Sequence, residues 1–307
     1  MKARDTSGNR ASTVPDQDSL YRASRLSKAW RVLRNSPLSL AGLAIVSVFL
    51  FLVAAAPVLA PYPEDATGRR VNFAEKLLPP TVTHLMGTDD LGRDVFSRVL
   101  YGSRLSLGLG FAIVAATAIL GLVLGSIAGF YGGVADEVIM RIGDMLMSIP
   151  RLLLAIAIVV ATGKSLPKLV IAISLPWWPW YARVIRGEVI RIREQGYVEA
   201  ARSVGTSSWR ILFMHVLPNL IGVMVVQASL QVGRAILAVA ALGFLGLGVQ
   251  PPLVEWGLMV SIGRTYMPNW WWMAIFPGAA IFLLGFGFNL LGDGLRDSLD
   301  PRTTLVR

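Results

Sequence analysis

Apolar residues in this chain gather into long runs at 38–60, 105–130, 152–162, 166–181, 218–244 and 270–295, with polar stretches between them. A bilayer core takes roughly 20 helical residues. The first, second, fifth and sixth runs reach that length singly. The third and fourth are shorter, and Pro176 and Pro179 interrupt the fourth. Lipid offers the backbone no hydrogen-bond partner, so spans of this kind are helices. The pattern predicts an all-α integral membrane protein of six transmembrane helices. In the second run Gly121, Gly125 and Gly129 recur every four residues, which smooths one helix face for close approach by another.

The polar stretches differ among themselves. The stretch 131–150 is amphipathic and carries Asp136, Arg141 and Asp144. The most regular stretch is YVEAARSVGTSSWRILFMHVLPN, residues 197–219. Helix formers from about Arg191 onward lead to Gly205, placed as a helix C-cap. Thr206, Ser207 and Ser208 then offer N-cap oxygens for a second helix, and Pro218 opens the next apolar run as a first-turn proline. A helix, a glycine corner and a second helix on the membrane surface are expected, the plain alternative being a solvated helical loop.

Composition narrows the class. The chain has 307 residues, is 54% hydrophobic and has a mean hydropathy of +0.58, well above soluble domains. It has no cysteine, which excludes disulfides and thiolate metal sites. The net charge of +10 comes without any nucleic-acid-binding motif, so nucleic acid is not an expected partner. Basic residues in a membrane chain mark its cytoplasmic flanks. With the N-terminus inside, the cytoplasmic segments hold nineteen of the 29 Lys and Arg and the outer segments nine. Both termini and the 191–218 segment are therefore expected in the cytoplasm of a multi-pass inner-membrane protein. VLA at 58–60 resembles a signal-peptide cleavage site, but the apolar run and its charged lead are too long, so an uncleaved span is expected. The layout is a basic tail at 1–35, a first helix within 36–61, an extracytoplasmic segment at 62–104, a five-helix core at 105–295 containing the 191–218 segment, and a tail at 296–307.

Candidate chemistry is sparse. Gly163-Lys164-Ser165 ends like a phosphate-binding loop, but the glycine required five positions before the last one is Ile158, and no strand precedes it. Nucleotide binding by this chain is rejected. Asp89, Asp90 and Asp94, with Arg93 among them, look ligand-like in type, since clustered carboxylates can hold a hard cation. A turn followed by an Asp94–Arg98 pair on a helix is the favoured reading. His84 and His215 fall on opposite sides of the membrane, so no acid–base pair forms and no enzyme is indicated. Arg234 lies inside the fifth run, where a guanidinium is expensive. It either lines a translocation route and meets a substrate carboxylate or packs against a neighbour. Trp178 and Tyr181, with Trp177 and Trp180, are further path candidates or plain packing aromatics. Trp270, Trp271 and Trp272 fit an interfacial belt.

Four strings carry a family resemblance: GTDDLGRDVFSRVLYGSRLSL, EAARSVGTSSWRILFMHVLPN, FLGLGVQPP and LLGDGLRDSLDPR. They resemble, in order, segments of the C-type permease subunits of dipeptide, oligopeptide and nickel ABC importers, over about 36–302. Glu199, Ala200, Ala201, Gly205, Leu217 and Pro218 match the motif by which such permeases dock on their ATPases. His215 stands where the generic motif has Ile, as in the peptide branch. Val239 and Gly243 depart from positions where relatives often carry an acid and Ser. The resemblance implies a type I importer permease fold and import of a small solute, with peptides ahead of nickel. The implied partners are a second permease (B-type), two ATPases binding ATP and Mg, and an extracytoplasmic binding protein, all in membrane lipid. No cofactor is implied in this chain. An ion-driven secondary transporter would show inverted repeats and buried carboxylates, and a scaffold would lack ATPase partners; both remain alternatives.

Overall fold

The computed structural model describes residues 36–68 and 70–299. The expected tail at 1–35 and residues 300–307 of the expected C-terminal tail lie outside them. Among the described residues there is no β-strand, only an isolated bridge between Thr88 and Asp94. Ten helices of eight residues or more organise the described residues. Helix α1 is Pro37–Leu59, α2 Val95–Tyr131, α3 Gly133–Met147, α4 Arg151–Thr162 and α5 Leu166–Ser174. Helix α6 is Trp178–Arg193, α7 Gly196–Ser203, α8 Ser208–Phe244, α9 Trp256–Gly263 and α10 Trp272–Leu299.

Helices α1, α2, α8 and α10 are each long and apolar enough to cross a membrane, and the pair α3 and α4, bent by 90°, makes a fifth candidate span. The sequence expectation of six spans is therefore met by length and composition for four, or five with the bent pair. Alone, α4 and α5 extend only about 18 and 14 Å, since they hold 12 and 9 residues. Pro176 and Pro179 fall at the break between α5 and α6. Arg183 and Arg186 then make α6 too polar to be read as lipid-facing.

Helix α2 is the centre of the molecule. Its glycine face is used as the spacing predicts: α6 lies so close that a Cβ at Gly121 would fall 2.2 Å from the Cβ of Tyr181. One at Gly125 would fall 2.5 Å from the Ala182 carbonyl oxygen, and one at Gly129 2.8 Å from that of Arg186. Helix α1 meets α10 in the same way through Gly42, where a Cβ would lie 2.6 Å from the Leu291 nitrogen. In lipid there is little hydrophobic gain from pairing apolar helices, so such backbone proximity is what holds them. The main apolar core joins α2, α5, α8, α9 and α10 through residues such as Ile113, Ile173, Ile236, Trp256 and Leu284.

A folded polar cap covers the N-terminal end of α2. Asp94 is its N-cap, its Oδ2 accepting from the Ser97 N–H at 2.7 Å and its Oδ1 lying 3.0 Å from His84 Nδ1. Asp89 accepts from Arg93 Nε at 2.8 Å and lies 3.4 Å from Arg98 Nε. The structural reading of this cluster is supported, but its wiring differs from the expected Asp94–Arg98 pair: the N-cap occupies Asp94, and the Arg98 guanidinium turns to Asp89. Buried pairs of this kind persist only with their hydrogen bonds in place. Trp272 also belongs to the cap, its Nε1 donating to the Thr88 carbonyl at 3.1 Å. It is buried, while Trp271 is exposed, so the expected aromatic belt is split between core and surface. Lys164 of the rejected phosphate-loop triplet donates to the Gly246 carbonyl at 2.8 Å, fastening two loops together.

Candidate coupling segment and path residues

The segment 191–218 departs from a single helix beginning near Arg191. Helix α6 ends at Arg193, Glu194 and Gln195 form a break, and α7 starts at Gly196. The end of α7 is as expected. Gly205 adopts φ +82°, its N–H donates to the Arg202 carbonyl and the Thr206 N–H to that of Ala201, the paired bonds of a glycine-terminated helix. Ser207 takes the N-cap position of the next helix but makes no side-chain capping bond. Pro218 does not begin a new helix. Ser208–Phe244 is one continuous 37-residue helix, with a π-helical turn at Leu212–Val216 immediately before Leu217 and Pro218. A proline lacks the N–H that would close an α-turn. The wider turn closes instead through the Leu217 N–H on the Leu212 carbonyl, and Asn219 Nδ2 donates to the His215 carbonyl at 2.7 Å. Turns of this type are frequent at functional sites.

One face of α7 is tied to the molecule and the other is free. Val198 is fully buried in an apolar cluster with Ile185, Val189, Ile211 and Val216, and Ala201 packs on that cluster. The Tyr197 ring lies 6.2 Å from that of His215, and Leu217 also packs on the cluster. Glu199, Ala200, Gly205 and Pro218 are exposed. The structure thus brings together Ala201, His215 and Leu217 at the base of α7 and leaves Glu199 and Ala200 on its outer surface. Because α6 leads into α7 across two residues, its fixation matters. Arg186 grips Asp136 of α3 with Nε and Nη2 at 2.5 and 2.6 Å, a two-bond geometry that fixes orientation. Arg183 pairs with Asp144 of the same helix, and Arg193 Nη1 donates to the Phe130 carbonyl at 2.9 Å.

The path candidates are placed elsewhere. Arg234 is exposed on α8, away from the α7 base. Trp178 and Tyr181 are buried in the chain's own packing: Tyr181 backs onto Gly121, and Trp178 approaches Gly143 of α3. Sequence reasoning missed Glu255. It is buried, and its Oε1 accepts from the Gly257 N–H at 2.9 Å and from Ser106 Oγ at 3.1 Å. Oε2 accepts from the Leu258 N–H at 3.0 Å, so Glu255 caps α9. Burial pushes its carboxyl above the ordinary carboxylate range, against the pull of these donors. A Cβ at Gly243 would lie 3.1 Å from Glu255 Oε2, so the glycine leaves room for a carboxylate that reaches this position from α9. An acid followed by Trp-Gly in an apolar setting was the available signal.

Comparison with known proteins gives the family. Residues 121–305 match the family model described as binding-protein-dependent transport system inner membrane component. Residues 24–80 match the N-terminal TM domain of oligopeptide transport permease C. The chain is 42% identical over 302 residues, 98% of both chains, to the "Probable D,D-dipeptide transport system permease protein DdpC" of Escherichia coli (strain K12). It is 43% identical over 288 residues to the dipeptide transport system permease protein DppC of Alkalihalophilus pseudofirmus, covering 94% of this chain and 93% of the relative. It is 46% identical over 223 residues to the glutathione transport system permease protein GsiD of Pectobacterium atrosepticum, covering 73% and 74%. A buried fold, an exposed helical corner and matches along nearly the whole length agree: the chain belongs to the family of binding-protein-dependent transport system inner membrane components, as a multi-pass permease.

Proposed function

We propose that this chain is the permease subunit of an ATP-driven importer that passes di- or oligopeptides across the inner membrane. Its α7 corner is the surface on which a cytoplasmic ATPase docks. The observation that carries the reading is the two-sided character of α7: Val198 anchors it in a buried cluster while Glu199 and Ala200 face outward. An exposed carboxylate beside a small residue suits close approach by a partner carrying a basic group. The other components are a second permease, two ATPases that bind ATP and Mg, and an extracytoplasmic binding protein. Both termini and α7 face the cytoplasm, in line with the excess of basic residues on that side. The layout is six-span, with α4 as the third crossing and α5 with the start of α6 as the fourth.

ATP binding biases the pore only by favouring one state over the other, and α7 is where that bias enters this chain. The names of similar proteins favour peptides over nickel, and the spread from D,D-dipeptide to glutathione at comparable identity leaves the side-chain preference to the binding protein. Reconstitution of the complete importer tests the reading. ATP-dependent uptake of Ala-Phe that is abolished by Glu199→Lys, with the variant still present in the membrane, is the expected result. Uptake that persists undiminished in Glu199→Lys refutes docking at α7.

A further inference from the structure

The end of α8 forms one wall of an apolar groove. The groove measures about 520 Å³, in the range of small-molecule sites, and is open along one side. Its lining comes from four helices and the residue after α8: Leu152 of α4, Leu237 and Phe244 of α8, Leu245, Val260 of α9 and Phe282 of α10. No polar side chain lines it. Leu152, Leu237, Phe244, Leu245 and Phe282 are exposed, so the described residues do not cover it.

Where α8 ends, the groove meets basic residues. The Arg264 guanidinium, on the turn that follows α9, lies over the ring of the lining residue Phe244, 4.3 Å from its centroid. Lys164 Nζ donates at 2.8 Å to the carbonyl of Gly246, next to the lining residue Leu245. Lys168, on the same side of α4 in sequence, donates to the Thr162 carbonyl. All three are exposed. Arg264 makes no side-chain hydrogen bond or ion pair with the described residues, and each ammonium keeps donors to spare. The turn that carries Arg264 hydrogen-bonds one acid among the described residues, Asp90, and does so through the Tyr266 hydroxyl at 3.3 Å.

An apolar wall alone would suit a neighbouring helix, and cations alone would suit a free anion. Their junction at Phe244 suits a molecule that has both parts. A guanidinium stacked on a ring still offers the planar fork of donors that matches a phosphate. Basic pockets between transmembrane helices are places where anionic lipid headgroups bind. In a bilayer an acyl chain gains packing contact rather than transfer energy from such a groove, so selectivity rests with the headgroup. We propose that the groove is a site for an anionic phospholipid, with one acyl chain between α8 and α10 and the phosphate held by Arg264 and Lys164. The same cations suit inorganic phosphate, and the experiment separates the two sources. The proposal stands apart from the import reading.

The chain is purified in mild detergent with its native companions, and the probe is phosphatidylglycerol carrying a diazirine in one acyl chain. Crosslinks mapped by mass spectrometry are expected to concentrate on Leu237–Leu245 and around Phe282. Unlabelled phosphatidylglycerol is expected to remove them, while phosphatidylcholine and inorganic phosphate leave them in place. Arg264→Gln is expected to weaken probe binding by about tenfold, and Arg264→Lys to keep most of it. A Cβ at Gly278 of the lining would meet only Val260 Cγ2, at 4.0 Å. Gly278→Leu therefore fills the groove without meeting backbone, and it is expected to abolish these crosslinks at an unchanged melting temperature. Full capture by Arg264→Gln overturns the headgroup assignment, as does equal competition by phosphatidylcholine. Displacement by inorganic phosphate overturns the lipid assignment in favour of a free-anion site. Crosslinks spread evenly over α1, α2, α8 and α10 overturn it by showing ordinary bilayer contact, and none on α8 and α10 overturns it by showing that a companion subunit covers the groove.

Discussion

Gly205 is the residue on which the proposed docking corner turns. Its φ of +82° and the open space around it mean that a side chain there meets a backbone penalty rather than a clash. Gly205→Val is expected to cost about 1–2 kcal/mol locally and to weaken ATPase docking. Gly205→Asn, which tolerates the left-handed region, is expected to retain most of it. Pull-down of the ATPases from membranes expressing each variant separates the two, and equal loss in both would assign the defect to bulk. Asp65 gives a pH test. Its Oδ2 accepts from the Asp94 N–H at 3.0 Å, while its buried Oδ1 takes no hydrogen bond. Burial raises its carboxyl above the ordinary value, opposed by Asp94's N–H and Arg70. A raised folded-state value makes ionisation a cost. That cost is absent below about pH 4, where the unfolded chain is protonated as well, and it is complete once the pH exceeds the folded value. Asp65→Asn keeps the one acceptor and removes the charge. Its melting temperature in detergent is therefore expected to equal or exceed that of wild type at pH 7, the gap closing toward pH 4. A variant that is less stable at pH 7 and not at pH 4 would contradict this. Gly205 was legible because a C-cap glycine is a local signal. Glu255 was only half legible: its capping bonds to Gly257 and Leu258 are local, but its contact with Ser106 joins positions 149 apart.

At the scale of elements, the glycine face of α2 and the ion pairs of α3 bear the contacts. Gly121→Ala places a Cβ 2.2 Å from that of Tyr181, whereas Gly108 faces nothing within 4 Å. The first substitution is expected to destabilise by about 1–3 kcal/mol and the second by little, read as thermal midpoints of the purified complex; similar midpoints would show that α2 and α6 separate without cost. The Asp136–Arg186 pair joins α3 to the helix that leads into α7. Asp136→Arg is expected to lower uptake several-fold, and adding Arg186→Asp to restore much of it, because charge-assisted paired bonds are directional and reversible in sign. An unimproved double variant would remove the pair from the transport pathway. The four-residue glycine period made the α2 face readable, and run length made α1, α2, α8 and α10 readable. The π-helical turn before Pro218 was not, since the sequence shows the missing N–H but not how the chain compensates. The break at Glu194 and Gln195 is followed at once by Gly196, a punctuation signal hidden within a run of helix formers.

At the scale of the whole molecule, an apolar bundle held by close backbone contact carries one exposed, well-anchored helical corner on one side and a folded polar cap over the start of α2. Fold class followed from the apolar runs, and the family followed from four strings in order. Span count was less readable, because crossings made of short helices with a bend between them do not carry the length signal on which such counts depend. The account's central claim is that α7 is a docking surface for an ATPase. It is tested most directly by purifying the tagged chain from its native membrane in mild detergent and identifying its companions by mass spectrometry. The account predicts a second permease and ATPase subunits with the wild-type chain, and loss of the ATPases alone with Glu199→Lys. A chain that emerges without ATPases, under conditions that keep a control importer intact, or ATPases that stay bound to Glu199→Lys, would contradict it.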